Sequence, residues 1–361
     1  MRAIVTGQVG VDKGPYLEAV QTRAREAGID LALCNVGQMM YDEAPDVPKG
    51  RILNLPITRL NSLRRAVFNK ILRIADSHEH VIVNTHATFR WRHGLFAAFD
   101  FDQVKEFNAD LYLTLLDNAE SVHQRLQRDH DIDHTLKDIM VWREEETLAT
   151  EILANILRGY GHFYMISRGR EIPTTDTVYR LMFKNELKKV YLSFPMSHVM
   201  DLPDTLAEID EFKAKINEHL ICFDPADVDE FVLHMKAVEA MKEGEDTVTL
   251  DAADGKTTLK TAEVAQISGD IMGQIYARDF KMVDQSDMII SLVPELPNGK
   301  PGLSSGVERE LHHAFEGGKE VYVVWACSSL PSPFITETAT KVFKSTEEAI
   351  THFKDVGYIP Q

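Results

Sequence analysis

The sequence predicts an α/β protein built from two doubly wound, mainly parallel sheets, and three observations lead there. Short apolar runs of strand length alternate with helical stretches along the chain, as expected of parallel strands covered on both faces. At 361 residues the chain exceeds what one hydrophobic core usually serves, so two domains are expected. The strand–helix pattern also restarts near residue 190, just after the segment Glu186-Leu187-Lys188-Lys189.

In order, residues 1–6 read as a short buried strand, followed by a glycine-containing turn and a helix over 14–27. Leu31 to Asn35 is a second strand, and a polar, helical stretch runs on through Asp76. Val81 to Asn84, Leu111 to Leu116 and Phe163 to Ile166 complete the first set. The second set is Val190 to Phe194, Leu220 to Phe223, Met288 to Leu292 and Val321 to Trp325. These place one domain at 1–186 and another at 189–361. Within the second, residues 243–262 read as an inserted polar hairpin, because two β-prone runs flank Asp254-Gly255.

Composition narrows the function. Hydrophobic residues at 44% and charged residues at 26% are ordinary globular values. A net charge of -17 argues against duplex nucleic acid as a partner, since phosphate backbones need clustered Lys and Arg. It leaves room for a small anionic ligand. Cys34, Cys222 and Cys327 stand far apart in apolar runs, which suits buried thiols in a reducing cytoplasm rather than disulfides or a Cys-based zinc site. No run is long enough to span a bilayer, and Met1-Arg2-Ala3-Ile4-Val5 leads straight into a strand rather than a signal peptide.

Gly7-Gln8-Val9-Gly10-Val11-Asp12-Lys13-Gly14 follows the first strand and opens a helix. Such a loop aims backbone N–H groups and a helix N-terminus at phosphate. Lys13 stands where the lysine of a GxxxxGK-Ser/Thr loop would reach the terminal phosphates, but Asp12 replaces the second glycine and Gly14 the Mg2+-binding hydroxyl. The match continues in Cys34-Asn35-Val36-Gly37-Gln38-Met39-Met40, in Val83-Asn84-Thr85-His86-Ala87-Thr88, in Asp110-Leu111-Tyr112-Leu113, and in a lid-like segment from Gln124 to Glu146 carrying Arg125, Arg128 and Arg143. On these stretches residues 1–185 resemble the archaeal type of adenylate kinase. The resemblance implies a nucleotide cleft lined by Gly7, Gly10, Lys13, Gly14, Asn35, Gly37, Met40, His86, Thr88, Arg125 and Arg128, with ATP and Mg2+ as its ligands. Asn84 replaces the family's acidic residue. With Asp12 and Gly14, that departure predicts weak or absent phosphoryl transfer and leaves nucleotide binding open.

The second half opens with Tyr191-Leu192-Ser193-Phe194-Pro195-Met196-Ser197, polar residues at the carboxyl end of a strand, where α/β sheets bind ligands. Arg278-Asp279 and Asp284-Gln285-Ser286-Asp287 precede the strand Met288 to Leu292. Ser304-Ser305-Gly306 then open a helix that carries Glu308 and Glu310. Hydroxyls and N–H groups at a helix start suit an anion, and a carboxylate one turn inside can attack an anomeric carbon or stabilise an oxocarbenium ion. First-turn glutamates favoured by the helix dipole are the plainer alternative.

The stretches YLSFPMS, RDFKMVDQSDMIISLV, SSGVERELHHA and GKEVYVVW make residues 189–361 resemble the nucleoside 2-deoxyribosyltransferase superfamily, which includes deoxynucleoside 5′-monophosphate N-glycosidases. That resemblance implies a flavodoxin- or Rossmann-like sheet, Glu310 as nucleophile, Asp279 as a further catalytic carboxylate near the ribose and base, and Asp287 as a carboxylate that is either catalytic or merely structural. It also implies a substrate pocket of Tyr191, Ser193, Phe194, Pro195, Met196, Arg278, Ser304, Ser305 and Gly306. Nucleoside-specific members carry Asp-Ser-Gly, so Ser304 in place of the aspartate points to a nucleotide. The expected activity is cleavage or transfer of the N-glycosidic bond of a (deoxy)nucleoside 5′-monophosphate, with no cofactor or metal for that step. An active monophosphate kinase with an accessory domain and a non-catalytic nucleotide sensor are the rival readings. A cytoplasmic homo-oligomer is expected, away from membranes, with the helix bearing Leu311, Ala314 and Phe315 as its contact surface.

Overall fold

The protein, described here by a computed structural model, is defined over residues 1–91, 94–130, 134–169, 174–252 and 254–359, without the side chains of 197 and 198. Residues 131–133 of the lid-like segment and the side chain of Ser197 lie outside the described residues. Two units form, Met1–Met182 with Asp227–Ile275, and Phe183–Ala226 with Tyr276–Gln361.

The first unit holds a parallel sheet of β1 (Arg2–Thr6), β2 (Leu31–Asn35), β3 (His80–Asn84), β6 (Leu111–Leu116) and β7 (Phe163–Ser167) in the order β2-β3-β1-β6-β7. All five match the apolar runs of the sequence. A short antiparallel hairpin of β4 (Thr88–Trp91) and β5 (Gly94–Ala97) stands apart from it and was not foreseen. The central strands are buried on both faces, every residue of β6 included, which is why they read as continuous apolar runs. A chain of hydroxyls, Thr114 to Thr6 to Thr150 at 2.9 and 2.7 Å, satisfies the buried polar groups where β1 meets β6 and the helix Leu136–Leu157. With β1 central and neighbours on either side, the switch point of this sheet falls at the carboxyl end of β1, where Gly7 begins.

The second unit starts with β8 (Lys189–Ser193) and β9 (Ile221–Phe223). The chain then runs through Asp227–Ile275, where β10 (Thr247–Ala252) and β11 (Gly255–Lys260) pair as the expected antiparallel hairpin. It returns with β12 (Met288–Pro294), β13 (Glu320–Ala326) and β14 (Lys341–Phe343). The sheet is parallel throughout, in the order β14-β13-β12-β8-β9. Counted within this unit the order is 2-1-3-4-5, the flavodoxin-like arrangement, with its switch point between β8 and β12.

Two expectations change. Residues 189–361 do not form one continuous unit, because Asp227–Ile275 belongs with the first. Its acidic side chains find partners there: Glu230 on Arg143, Asp254 on Arg125 and Arg128, Glu263 on the Leu136 N–H at 2.8 Å, and Asp270 on Lys137 at 2.5 Å. The helix Ser305–Glu316 also offers less contact surface than expected. Leu311 and Ala314 are buried on its inner face, and only Phe315 is exposed.

Candidate functional site

At the switch point of the second unit, strand alternation separates two sets of side chains. Val190, Leu192 and Phe194 enter the core with Ile290, Leu292, Phe212 and Phe353. Tyr191 and Ser193 face the other way, and Ser291 of β12 stands directly opposite Ser193. The helix Ser305–Glu316 packs on β12 and β13 through Val307, Leu311 and Ala314. Glu310 shares that inner flank, whereas Glu308 is exposed.

Glu310 is held at both oxygens. Tyr191 donates its phenol to Oε1 at 2.9 Å, and Ser193 donates its hydroxyl to Oε2 at 2.6 Å. Burial pushes the Glu310 carboxyl up to about 7; the charge of Asp279 adds to the rise, and the Ser193 and Tyr191 bonds oppose it. Burial and the neighbouring Glu310 hold the Tyr191 phenol well above its usual value, so it stays a donor at neutral pH. The result is a fixed carboxylate that changes charge near neutrality, a property suited to nucleophilic or acid–base work.

Ser193→Ala removes one of two bonds to the ionised form, so the Glu310 midpoint should rise by about one pH unit. A 13C-carboxyl NMR titration measures this. An unchanged midpoint would mean that Ser193 does not hold the carboxylate.

The remaining expected residues divide. Asp279 lies on the helix Ser268–Asp284 beside buried Arg278, whose Nε is 3.6 Å from Asp279 Oδ1. Ser304 caps the helix Ser305–Glu316, its Oγ accepting from the Val307 N–H at 3.2 Å, and Ser305 and Gly306 are exposed at the helix start. Asp287 is not part of this cluster. Its carboxylate accepts from the Lys189 N–H at 2.8 Å, at the amino end of β8 and β12, and Ser291 lies four residues further along, about 13 Å. Asp287 therefore pins the strand starts. Phe194 is a core residue by strand parity, and Met196 packs against the same core, so neither faces Glu310. Pro195 is buried and precedes the short helix Met196–Val199. Ser291, fully buried with an unpartnered hydroxyl on the Glu310 face, was not anticipated. Its pairing with Ser193 depends on register, which one strand read alone does not carry.

The glycine loop of the first unit keeps its backbone shape. Gly7 has φ 138°, and a Cβ there would sit 2.6 Å from the Leu115 carbonyl oxygen, so only glycine fits. Asp12 takes the left-handed conformation, φ 60° and ψ 52°, that a glycine would adopt freely, with its carboxylate 3.5 Å from Arg168. Lys13 is buried; its Nζ donates to the Gly7 carbonyl at 2.5 Å and lies 3.3 Å from His86 Nδ1. At the centre is a residue that the sequence reading gave no role. Glu146, fully buried on the helix Leu136–Leu157, accepts from the N–H groups of Gly7 (3.0 Å), Ala87 (2.8 Å) and Thr88 (2.6 Å) and from the Thr88 hydroxyl (2.8 Å).

Burial brings the Lys13 ammonium down to about 8, against the opposing charges of Glu146 and Asp12. Burial and the Lys13 charge hold His86 well below its usual value, hence neutral. Gly7, Lys13, His86 and Thr88 thus surround a carboxylate of the chain itself.

The other expected cleft residues have local partners. Asn35 accepts from the Asn84 amide at 2.7 Å, Met40 is buried, and Gly10 has φ 92°. Gly14 and Gly37 lie in helices with open space where a Cβ would go. Arg125 is buried and donates to the Gly10 carbonyl (2.9 Å), Asp117 (2.7 Å) and Asp254 (3.1 Å). Arg128 pairs with Asp129 at 2.7 Å and Asp254 at 3.0 Å. Neither arginine is held out as a lid cation. For Mg2+ the loop is a poor fit: Gly14 brings no hydroxyl, and the Asn84 amide is taken up by Asn35.

Comparison with known proteins bears on the first unit. A family model described as an AAA domain matches residues 6–143. The adenylate kinase of Pyrococcus furiosus is 25% identical over 138 residues, which cover 36% of this chain and 68% of that protein. That of Pyrococcus horikoshii is 24% identical over the same length and shares. A solved gluconokinase from Sinorhizobium meliloti 1021 aligns at 15% identity and a TM-score of 0.29, covering 46% of this chain and 81% of that one, a likeness too low to carry an argument. Residues 6–143 are thus similar to AAA domains and, within the first unit, to archaeal adenylate kinases. No described helix is long and apolar enough to cross a membrane.

Proposed function

We propose that the second unit cleaves or exchanges the N-glycosidic bond of a (deoxy)nucleoside 5′-monophosphate, with Glu310 as the reacting carboxylate. One observation carries the reading: a carboxylate with a near-neutral pKa is fixed by Tyr191 and Ser193 at the switch point of a 2-1-3-4-5 sheet. In this scheme Glu310 attacks the anomeric carbon as the base departs, and water or a second base then releases the sugar. Asp279 is the nearby group suited to handing a proton to the leaving base. Tyr191 and Ser193 orient Glu310 and are positioning residues. The test is chromatography of free base released from a panel of nucleotides, nucleosides and NAD+. No release from any of them rules the reading out.

Phosphate preference is expected to follow from Ser304. A 5′-monophosphate carries between one and two negative charges near neutral pH. Beside a carboxylate it would meet a repulsion of a few kcal/mol. Ser304 uses its oxygen to accept from Val307 and keeps its proton to donate, next to the exposed start of the helix. Monophosphates should therefore be processed roughly tenfold better than the matching nucleosides. Asp caps helices as well as Ser does, so Ser304→Asp should fold normally and narrow or reverse that ratio. Equal wild-type activity on both classes would defeat the idea.

The first unit favours a second reading, a nucleoside-monophosphate kinase, because its similarity to adenylate kinases extends over 138 residues. An ADP-forming assay with Mg·ATP and a panel of monophosphates separates the two. Turnover of about 1–100 per second would install the kinase reading.

A further inference from the structure

We propose that Glu146 is a built-in competitor for phosphate: the chain's own carboxylate fills the anion site at the base of the glycine loop, and a polyphosphate engages Lys13 only after Glu146 swings out. The inference is independent of Glu310 and its chemistry.

Three observations support it. Glu146 accepts four hydrogen bonds, three from the backbone N–H groups of Gly7, Ala87 and Thr88 and one from the Thr88 hydroxyl, which saturates both oxygens. Convergent N–H groups at the end of a strand and beside a loop lysine are what a phosphate would otherwise use. Second, Lys13 is turned back onto the Gly7 carbonyl and His86, and its charge is balanced by Glu146 rather than left for a ligand. A buried carboxylate without that ammonium would be costly, so the two groups sustain each other. Third, nearby cations are engaged in the same way. Arg125 is tied to Asp117 and Asp254, and Arg143 to Glu230, all within the first unit. Carboxylates stand against these cations where an open polyphosphate site would leave them for phosphate.

Binding of inorganic tripolyphosphate to the full chain, followed by calorimetry, tests the proposal. Wild type should bind with a Kd of about 1 mM or weaker. Glu146→Ala should bind roughly tenfold tighter or better, because it removes both the charge and the occupant. Adding Lys13→Met to Glu146→Ala should erase the gain. Glu146→Gln keeps the shape and removes the charge, so it should show a smaller gain and serves if the alanine variant fails to fold. Micromolar binding by wild type overturns the proposal whatever the variants do. So does equal binding by wild type and the charge-free variants, or a gain that survives the loss of Lys13.

Discussion

Replacing Glu310 by Gln or Ala is expected to lower base release from a nucleoside monophosphate by roughly a thousandfold or more, the scale for losing a group that stabilises the transition state. That is about 4 kcal/mol of barrier. Gln keeps an oxygen for Ser193 or Tyr191, so the loss should come without unfolding. The control is Glu308→Gln. Glu308 is exposed two residues away on the same helix, and its neutralisation should cost far less than Glu310→Gln. Rates with near-UV circular dichroism on both variants decide the matter. If they lose activity alike, the reacting carboxylate is not Glu310.

Glu230→Ala should cost roughly 3–5 kcal/mol of stability, the range for stranding one partner of a buried ion pair. Arg143 and Glu230 are both buried; the guanidinium meets both carboxylate oxygens and also donates to Gln274 at 2.5 Å. Glu230 additionally accepts from the Ala119 N–H at 3.1 Å. Removing it leaves a buried cation and an unpaired N–H. Replacing both partners, Arg143→Met with Glu230→Leu, should recover most of the loss, because two apolar side chains of similar volume need no pairing. Urea unfolding of the single and double variants measures this. A loss below about 1 kcal/mol in Glu230→Ala would place the pair among weakly coupled surface bridges.

The principal parallel strands were legible because burial on both faces writes them as apolar runs, as in Val81 to Asn84 and Leu111 to Leu116. The three-residue β14 and the β4–β5 hairpin were not, being too short or too mixed in pattern to stand out. At the site, the residues alone left Glu310 and Glu308 open as first-turn glutamates, and only the family resemblance singled out Glu310, which is the one held by Tyr191 and Ser193. Its holders were only half legible: Tyr191 and Ser193 were found, but Phe194 and Met196 were grouped with them although Phe194 has the opposite strand parity. Asp287 stood close to the right strand at the wrong end. Glu146 was hidden for a different reason. It is the last of three consecutive glutamates, Glu144 to Glu146, and only the phase of a helix packed against β6 singles it out. Ownership of residues 227–275 was illegible too, because it rests on ion pairs between residues more than a hundred positions apart, such as Arg125 with Asp254.

That long-range ownership has a consequence for the order in which the protein is made. A ribosome delivers Met1–Met182 first, but Arg143 and Arg125 have to wait for Glu230 and Asp254, with β8 and β9 emerging in between. The first unit therefore matures late, through contacts of high sequence separation, which fold slowly. A gene cut at residue 186 would yield a fragment with buried guanidinium groups and no carboxylates from the missing segment. A fragment meant to carry the first unit therefore has to include residues 227–275 as well as 1–182, because Asp254 and Glu230 there pair with Arg125 and Arg143.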